Sequence, residues 1–322
     1  MERKAHHWRH HRPYRLSDYS DLRHYLASSS IGLCRHHPDQ FVNVREVKPV
    51  HVFTHQYKAG DTHRIVLMSD LHWDNPKCNR DLLKRDLEYA AHNGLNILIN
   101  GDLFCAMQGR YDGRRMKSDI RPEHNTSTYL DDLVGTAVEW FAPYMDNIAL
   151  VGYGNHETSI LKNCETDILA RFVRGMNDQG GNIVLGGYGG WVVWSFRMPS
   201  GNAVSYRMKY FHGSGGGGVV TRGVISAQRM LAQVHGQSCA WQGHVHESWS
   251  MVNVVESLNN NHTPILREVL QIRTPCYKEE YGDGTKGWHV MRGAPPKPLG
   301  AYILELNLGS RKVNARAYPL NI

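Results

Sequence analysis

The feature that most constrains this chain is an ordered series of short histidine, aspartate and asparagine motifs. Each sits at or just past a run of apolar, strand-like residues. In order they are Ser69-Asp70-Leu71-His72, Gly101-Asp102, Gly154-Asn155-His156-Glu157, Phe211-His212-Gly213 and Gly243-His244-Val245-His246. Polar groups at the ends of parallel strands gather at the carboxyl edge of a sheet, so the pattern calls for an α/β fold that brings these ends together. Carboxylate and amide oxygens mixed with imidazoles suit Mn²⁺, Fe, Zn²⁺ or Ni²⁺ better than Ca²⁺. One carboxylate shared between two such ions holds them about 3.5–4 Å apart, the spacing used for in-line displacement at phosphorus. With 20 histidines in the chain, chance His-x-His pairs are common. Chance does not account for the order of the motifs or for the glycines beside them.

The runs between the motifs give the element order. Arg64–Ser69 is a short apolar run, the mark of a buried strand. Asp81–His92 has helical spacing and ends at Asn93-Gly94, and Asn96–Asn100 is the next strand. This β-α-β unit predicts parallel strands. Thr128–Tyr144 reads as a second helix, Ile148–Val151 as a third strand and 158–178 as a third helix. Strands then dominate: Asn182–Leu185, Trp191–Arg197, Ala203–Phe211, Ser238–Gln242, Trp249–Val255, Ile265–Arg273, Ala301–Leu306 and Lys312–Tyr318. Parallel strands with helices first, and mostly antiparallel strands later, fit two packed sheets flanked by helices.

The series Asp70-x-His72, Gly101-Asp102, Gly154-Asn155-His156-Glu157, His212 and Gly243-His244-x-His246 resembles the calcineurin-like metallophosphoesterases, over roughly residues 63–255. The resemblance implies an αββα four-layer sandwich of two mixed β-sheets. It also implies two divalent ions (Mn, Fe, Zn or Ni, with manganese favoured). Asp70, His72 and His246 would hold the first, Asn155, His212 and His244 the second, and Asp102 would bridge them. A hydroxide between the two ions would attack phosphorus in line, and His156 would face the substrate and give a proton to the leaving oxygen. Protein phosphatases of that superfamily carry Gly-Asp-x-Val-Asp-Arg-Gly at the second motif. Here the stretch is Gly101-Asp102-Leu103-Phe104-Cys105, nearer to the nuclease and phosphodiesterase branches. The implied activity is a phosphodiesterase, with a nuclease as the narrower reading and a phosphomonoesterase acting on nucleotides or small phosphates as the alternative. The segments around Thr221–Ile225 and 273–300 resemble members encoded by bacteriophages and found in metagenomes.

Between the second motif and the second helix lies a basic stretch carrying Arg110, Arg114, Arg115, Lys117 and Arg121 with Tyr111. A loop of about 20 residues in a compact domain is functional or disordered. Beside a metal edge these side chains would grip a phosphodiester backbone, DNA or RNA; a solvated loop or a dimer contact is the other reading. The net charge of +7 suits an anionic partner without requiring one. The glycine-rich stretch Gly213-Ser214-Gly215-Gly216-Gly217-Gly218 directly follows His212 and is either a close approach to metal or phosphate, or a tight connection. Asp74, before Asn75-Pro76, reads as a turn carboxylate, with a hydrogen bond back to the centre as the other reading, and Glu157 as a partner orienting His156 or a ligand.

Residues 1–48 are rich in histidine and arginine and read as an extension, a solvated arm, ahead of a metallophosphoesterase domain over 49–322. No apolar stretch approaches the roughly 18 residues that a membrane helix needs. The first residues lack the apolar core of a secretory signal. The expected location is cytoplasmic, that of the host cell if the chain is phage-encoded. The 6 cysteines, Cys34, Cys78, Cys105, Cys164, Cys239 and Cys276, are scattered without a Cys-x-x-Cys, and free thiols are expected.

Overall fold

Short runs with continuous apolar centres form the strands that are covered on both faces. In the computed structural model, which describes residues 43–47, 49–106, 119–281, 288–291 and 293–320, β4 (Asn96–Asn100) and β5 (Ile148–Gly152) are buried at every position. They pair in parallel with each other and with β3 (Thr62–Met68). These are interior strands of a six-stranded sheet whose order is β13-β12-β3-β4-β5-β6, with β6 at Val184–Leu185. β12 (Tyr302–Leu308) returns antiparallel to β3, and β13 (Val313–Pro319) antiparallel to β12.

Alternating runs make the second sheet. In β8 (Ala203–Phe211), Val204, Tyr206, Met208 and Tyr210 point inward while Ala203, Ser205 and Arg207 face out, the period-two pattern of a strand with one covered face. It belongs to a seven-stranded mixed sheet of order β1-β2-β7-β8-β9-β11-β10. The other strands are β1 (Asn43–Val47), β2 (Val50–Gln56), β7 (Gly189–Arg197), β9 (Cys239–Gln242), β10 (Trp249–Leu258) and β11 (Pro264–Arg273). β9 lies parallel to both β8 and β11.

The two sheets pack face to face through Ile65, Leu67, Leu150 and Leu304 from one and Phe53, Trp194, Met208 and Trp241 from the other. The opposite face of the six-stranded sheet is covered by α1 (Arg80–His92), α2 (Tyr129–Phe141) and α4 (Ile168–Asp178). α1 starts where the Asn79 side chain accepts the Leu82 amide, and it buries Leu83, Leu87 and Ala90 at helical spacing. Truncating Leu83 to alanine should cost about 2–5 kcal/mol. On the outer face of the seven-stranded sheet, α5 (Val224–Gln233) lies over β9 to β11. There Gln228 reaches Asn253, and Gln271 donates to the Ala227 carbonyl. The architecture is the expected αββα sandwich with an unequal outer layer.

Several boundaries differ from the sequence reading. β2 and α5 were not expected. The helix read as 158–178 is two helices, α3 (Asn155–Cys164) and α4, separated by Glu165 at φ 52°. The Asp167 side chain caps α4 by accepting the Ala170 amide. The sheet reaches back to Asn43, inside the stretch assigned to the extension, because β1 pairs antiparallel with β2. The histidine cluster at the N-terminus lies outside the described residues. Among the described residues, Cys78, Cys105, Cys239 and Cys276 are free thiols, and no helix is long and apolar enough to cross a membrane.

Candidate metal centre

Each motif is delivered by the carboxyl end of a strand: Asp70 and His72 after β3, Asp102 after β4, Asn155 and His156 after β5, His212 after β8, His244 and His246 after β9. The loops beyond those ends brace one another. Asp70, His72 and Trp73 donate their amides to the carbonyls of Gly101, Asp102 and Leu103, so the first two motifs run on as a zipped pair. Gly243 donates to the His212 carbonyl and ties the last two together. Asp70, His72, Asp102, His244 and His246 all have positive φ, between 47° and 72°. That conformation costs about 1–3 kcal/mol for a non-glycine residue and persists only where the surroundings enforce it. Glycines allow the close approach. Gly101 sits at φ 80°, and a Cβ there would lie 2.5 Å from His212 Nδ1. Gly213 has φ 131°, and its Cβ would lie 2.6 Å from that of His244. The start of the glycine-rich stretch thus packs against a motif residue.

The side chains converge in two buried groups, Asp70–His72–His246 and Asp102–His212–His244, each with its ligand atoms within 4.8 Å of one another. In the first, His246 Nε2 lies 3.3 Å from Asp70 Oδ1 and 3.3 Å from His72 Nε2. In the second, His212 Nε2 is 3.2 Å from Asp102 Oδ2, and the Asn155 amide oxygen is 3.2 Å from His212 Nε2 and 2.8 Å from His244 Nδ1. The groups adjoin, since His212 Nε2 is also 3.9 Å from Asp70 Oδ1. His212 donates its Nδ1–H to the Asn100 carbonyl at 2.7 Å, which fixes the ring so that Nε2 faces the carboxylates.

The charges are tightly coupled. Burial alone would raise the carboxyl pKa of Asp102, but His212, His156 and His72 hold it well below the usual range. Burial likewise opposes the charged form of Asp70, and His246 and His212 outweigh it. Burial would lower the His212 pKa, and Asp102 and Asp70 instead raise it to about 9. His72 is pushed well below the ordinary histidine value by burial and by His156 beside it. Buried carboxylates among crowded imidazoles, two of which turn nitrogens to each other at 3.3 Å, form a donor set that a divalent cation fits. Asp70, His72 and His246 could hold one ion, and Asp102, Asn155, His212 and His244 another.

Around this set lie residues whose roles come from contacts distant in sequence. Glu157 accepts the amides of Asp102, Phe104 and Gly154, so it clamps two motif loops rather than orienting His156. Burial and the nearby Asp102 push its carboxyl up to about 8. Asp74 is buried and accepts the amides of Cys105 and Ala106; it pins the loop after β4 and is not a surface turn carboxylate. His156 donates Nδ1–H to the Cys105 carbonyl at 2.6 Å, its amide donates to Asp102 Oδ1, and its Nε2 lies 3.9 Å from Asp102 Oδ2. Arg273, fully buried, donates to the carbonyls of Gly243 and Gly223 and to Gln242 Oε1 and Ser226 Oγ. One guanidinium therefore brackets the His244–His246 loop to the chain that leads from His212 into α5. The only early signals for these positions were the carboxylates of Asp74 and Glu157; nothing in the pattern singled out Arg273.

Of the expected substrate cations, Arg110, Arg114, Arg115 and Lys117 lie outside the described residues. Arg121 is engaged elsewhere: its guanidinium donates to the carbonyls of Asn75 and Cys78. It holds the loop after the first motif.

No protein-family model and no curated protein matches this chain. A solved structure titled "GAP50 the anchor in the inner membrane complex of Plasmodium" resembles it over 81% of this chain and 89% of that one, at 10% sequence identity and a TM-score of 0.38.

Proposed function

We propose that this protein is a dinuclear metal-dependent phosphoester hydrolase that prefers phosphodiesters. The observation that carries the reading is the adjoining pair of buried groups, Asp70–His72–His246 and Asp102–His212–His244, at one edge of the sandwich. Asp102 would be the residue shared between them, because its carboxylate lies beside His212 and His156 and interacts with Asp70. Two ions held there would supply Lewis acidity at a phosphoryl oxygen and would lower the pKa of a bound water toward neutrality. The chain's own residues do the rest. Asn155 contributes a neutral oxygen and so leaves the second position electron-poor. His156, anchored through Nδ1, presents Nε2 as the atom that gives a proton to the leaving oxygen. Glu157, Asp74 and Arg273 fix the loops.

The diester preference is supported by a second motif that lacks the protein-phosphatase pattern and by the basic stretch with Arg110, Arg114, Arg115 and Lys117. Manganese is the first metal to test, and DNA or RNA the first polyanion. The deciding experiment compares bis-p-nitrophenyl phosphate with p-nitrophenyl phosphate, then single-stranded and duplex oligonucleotides, across Mn²⁺, Fe²⁺, Zn²⁺ and Ni²⁺. The expected result is a higher kcat/KM for the diester. A higher value for the monoester replaces the reading with a phosphomonoesterase, and no turnover with any ion refutes enzymatic function. Joint neutralisation of the four cations should weaken oligonucleotide binding and its salt dependence while sparing the small diester. Equal loss on both substrates would make the stretch structural.

A further inference from the structure

A third set of ligand-bearing side chains lies beside the two groups above and shares a residue with one of them. His72, Cys105 and His156 each bring a ring nitrogen or the sulfur within 4.8 Å of the other two. The rings of His72 and His156 stand edge to face with centroids 4.8 Å apart. Cys105 is fully buried, and its sulfur accepts a hydrogen bond from Asn75 Nδ2 at 3.2 Å. His72 Nδ1 is buried and has no hydrogen-bond partner among the described residues.

Two imidazoles and a thiol differ from the neighbouring groups in carrying sulfur where each of those carries a carboxylate. Thiolate ligands select zinc and softer ions, whereas carboxylate and amide oxygens suit manganese and magnesium. A tetrahedral zinc with Zn–S of about 2.3 Å and Zn–N of about 2.0–2.1 Å needs its ligand atoms about 3.3–3.6 Å apart. The three ligand atoms lie within 4.8 Å of one another. His156, with 15% of its side chain exposed, is the least buried of the three, and with Nδ1 on the Cys105 carbonyl its Nε2 is the atom left to bind an ion. A neutral imidazole has a single nitrogen lone pair to give. His72 can therefore serve an ion beside Asp70 and His246 or an ion beside Cys105, but not both at once.

We propose that His72, Cys105 and His156 form an inhibitory site for a zinc-class cation, filled at the expense of the Asp70–His72–His246 position. Binding releases the Cys105 thiol proton to solvent and forms one metal–sulfur bond. It withdraws one imidazole from the neighbouring position and engages the His156 nitrogen needed for proton transfer. The inhibitory consequence rests on the proposed hydrolase activity; the site itself does not.

Cobalt(II) tests the site without reference to turnover, because a cobalt–thiolate bond gives a charge-transfer absorption that oxygen and nitrogen ligands do not. The full chain, supplied with excess Mn²⁺, is titrated with Co²⁺. The expected result is a thiolate band that saturates near one equivalent, disappears in Cys105→Ser and persists in Cys276→Ser. The second variant is a necessary control, because Cys276 lies beside His246. His156→Gln should raise the cobalt concentration needed for half the band by about tenfold or more, and it keeps the test open if Cys105→Ser fails to fold. No band in the unmodified chain, a band that survives Cys105→Ser, or one that depends on Cys276 would overturn the proposal. In parallel, Zn²⁺ added to the manganese-loaded protein should inhibit diester hydrolysis, with a midpoint about tenfold higher or more in Cys105→Ser, each variant scaled to its own uninhibited rate. Equal midpoints would also overturn it. A chain that hydrolyses no phosphoester refutes the proposed function, and the cobalt band then still decides the site.

Discussion

Two buried carboxylate neighbourhoods in the six-stranded sheet are built in opposite ways. Glu305, in β12, is buried at 2% exposure and has protein donors on every side. Arg64 and Arg316, its cross-strand neighbours on β3 and β13, donate at 2.8 and 2.7 Å, and Tyr318 and Asn307 complete the set. Asp70 and Asp102, at the strand ends, are equally buried but meet no arginine or lysine within ion-pair distance among the described residues. Their positive charge comes from His212 and His246. A buried carboxylate needs a cation or hydrogen-bond donors to offset its burial. Glu305 has covalently attached ones, whereas Asp70 and Asp102 sit in strained loops with imidazoles that can change from proton carrier to metal ligand. The first arrangement is closed by the chain's own guanidinium groups; the second is a set of groups that could hold metal ions.

The strongest way to break this comparison is Asp102→Asn, which keeps the shape and removes the charge. If the centre is built for two cations, bound metal should fall from two ions per chain to one or none, and turnover should fall to the buffer background, with the fold retained by circular dichroism. Unchanged metal content would show that Asp102 is an ordinary buried acid. His156→Ala comes next. Removing a proton donor that is not a ligand should leave both ions bound and lower kcat by about 10²–10⁴, with a smaller loss for esters with good leaving groups. Loss of an ion in that variant would move His156 into the ligand set.

The same contrast separates what the sequence could tell from what it could not. Strand-end ligands are local signals: an apolar run followed by Asp-x-His or Gly-Asn-His reads directly, and Asn96–Asn100 and Ala203–Phe211 emerge with their observed bounds. β2 was hidden because its inward face carries His51, Phe53 and His55, so a buried strand reads as polar. The break between α3 and α4 was readable from Asp167 ahead of Ile168-Leu169, a capping signal that continuous helical spacing concealed. The supports were readable only as two carboxylates, Asp74 and Glu157, with their partners unknown, and Arg273 not at all. Asp74 acts on Cys105 and Ala106, and Arg273 on Gly223 and Gly243, through partners about 30 to 50 residues away that only the folded chain brings near.

His55 sharpens the comparison from another side, as a buried titratable group with no carboxylate partner. Its ring lies 4.3 Å from that of His63 and 5.5 Å from that of Phe196, and neither of its nitrogens has a hydrogen-bond partner among the described residues. Burial, helped by His63, pushes its pKa down to about 3. The unfolded chain therefore binds a proton here below about 6.5 and the folded chain does not. Stability should fall as pH drops from 6.5 toward 3, by on the order of 5 kcal/mol at most. His55→Leu should flatten that slope and raise Tm at pH 5 relative to the parent. Parallel Tm–pH curves for the two proteins would count against a neutral buried His55.

The smallest effect belongs to Glu305, because its site is already complete. Burial would raise its pKa, but hydrogen bonds from Arg64, Arg316 and Tyr318 lower it from 4.5 to about 2. The folded pKa is below the unfolded one, so the stabilisation is fully present above about 4.5 and is lost as pH falls toward 2. Both guanidinium groups are more than one-third exposed, at 48% and 67%, so solvent screening reduces the gain to on the order of 1–2 kcal/mol. Glu305→Gln should lower Tm modestly at pH 7, hardly at all near pH 2.5, and leave metal content and turnover unchanged, because β12 carries none of the ligands. A change in metal binding would mean that the two carboxylate neighbourhoods are coupled through β3, the strand that pairs with β12 and ends at Asp70. A Tm loss as large at pH 2.5 as at pH 7 would show that Glu305 acts through packing rather than charge.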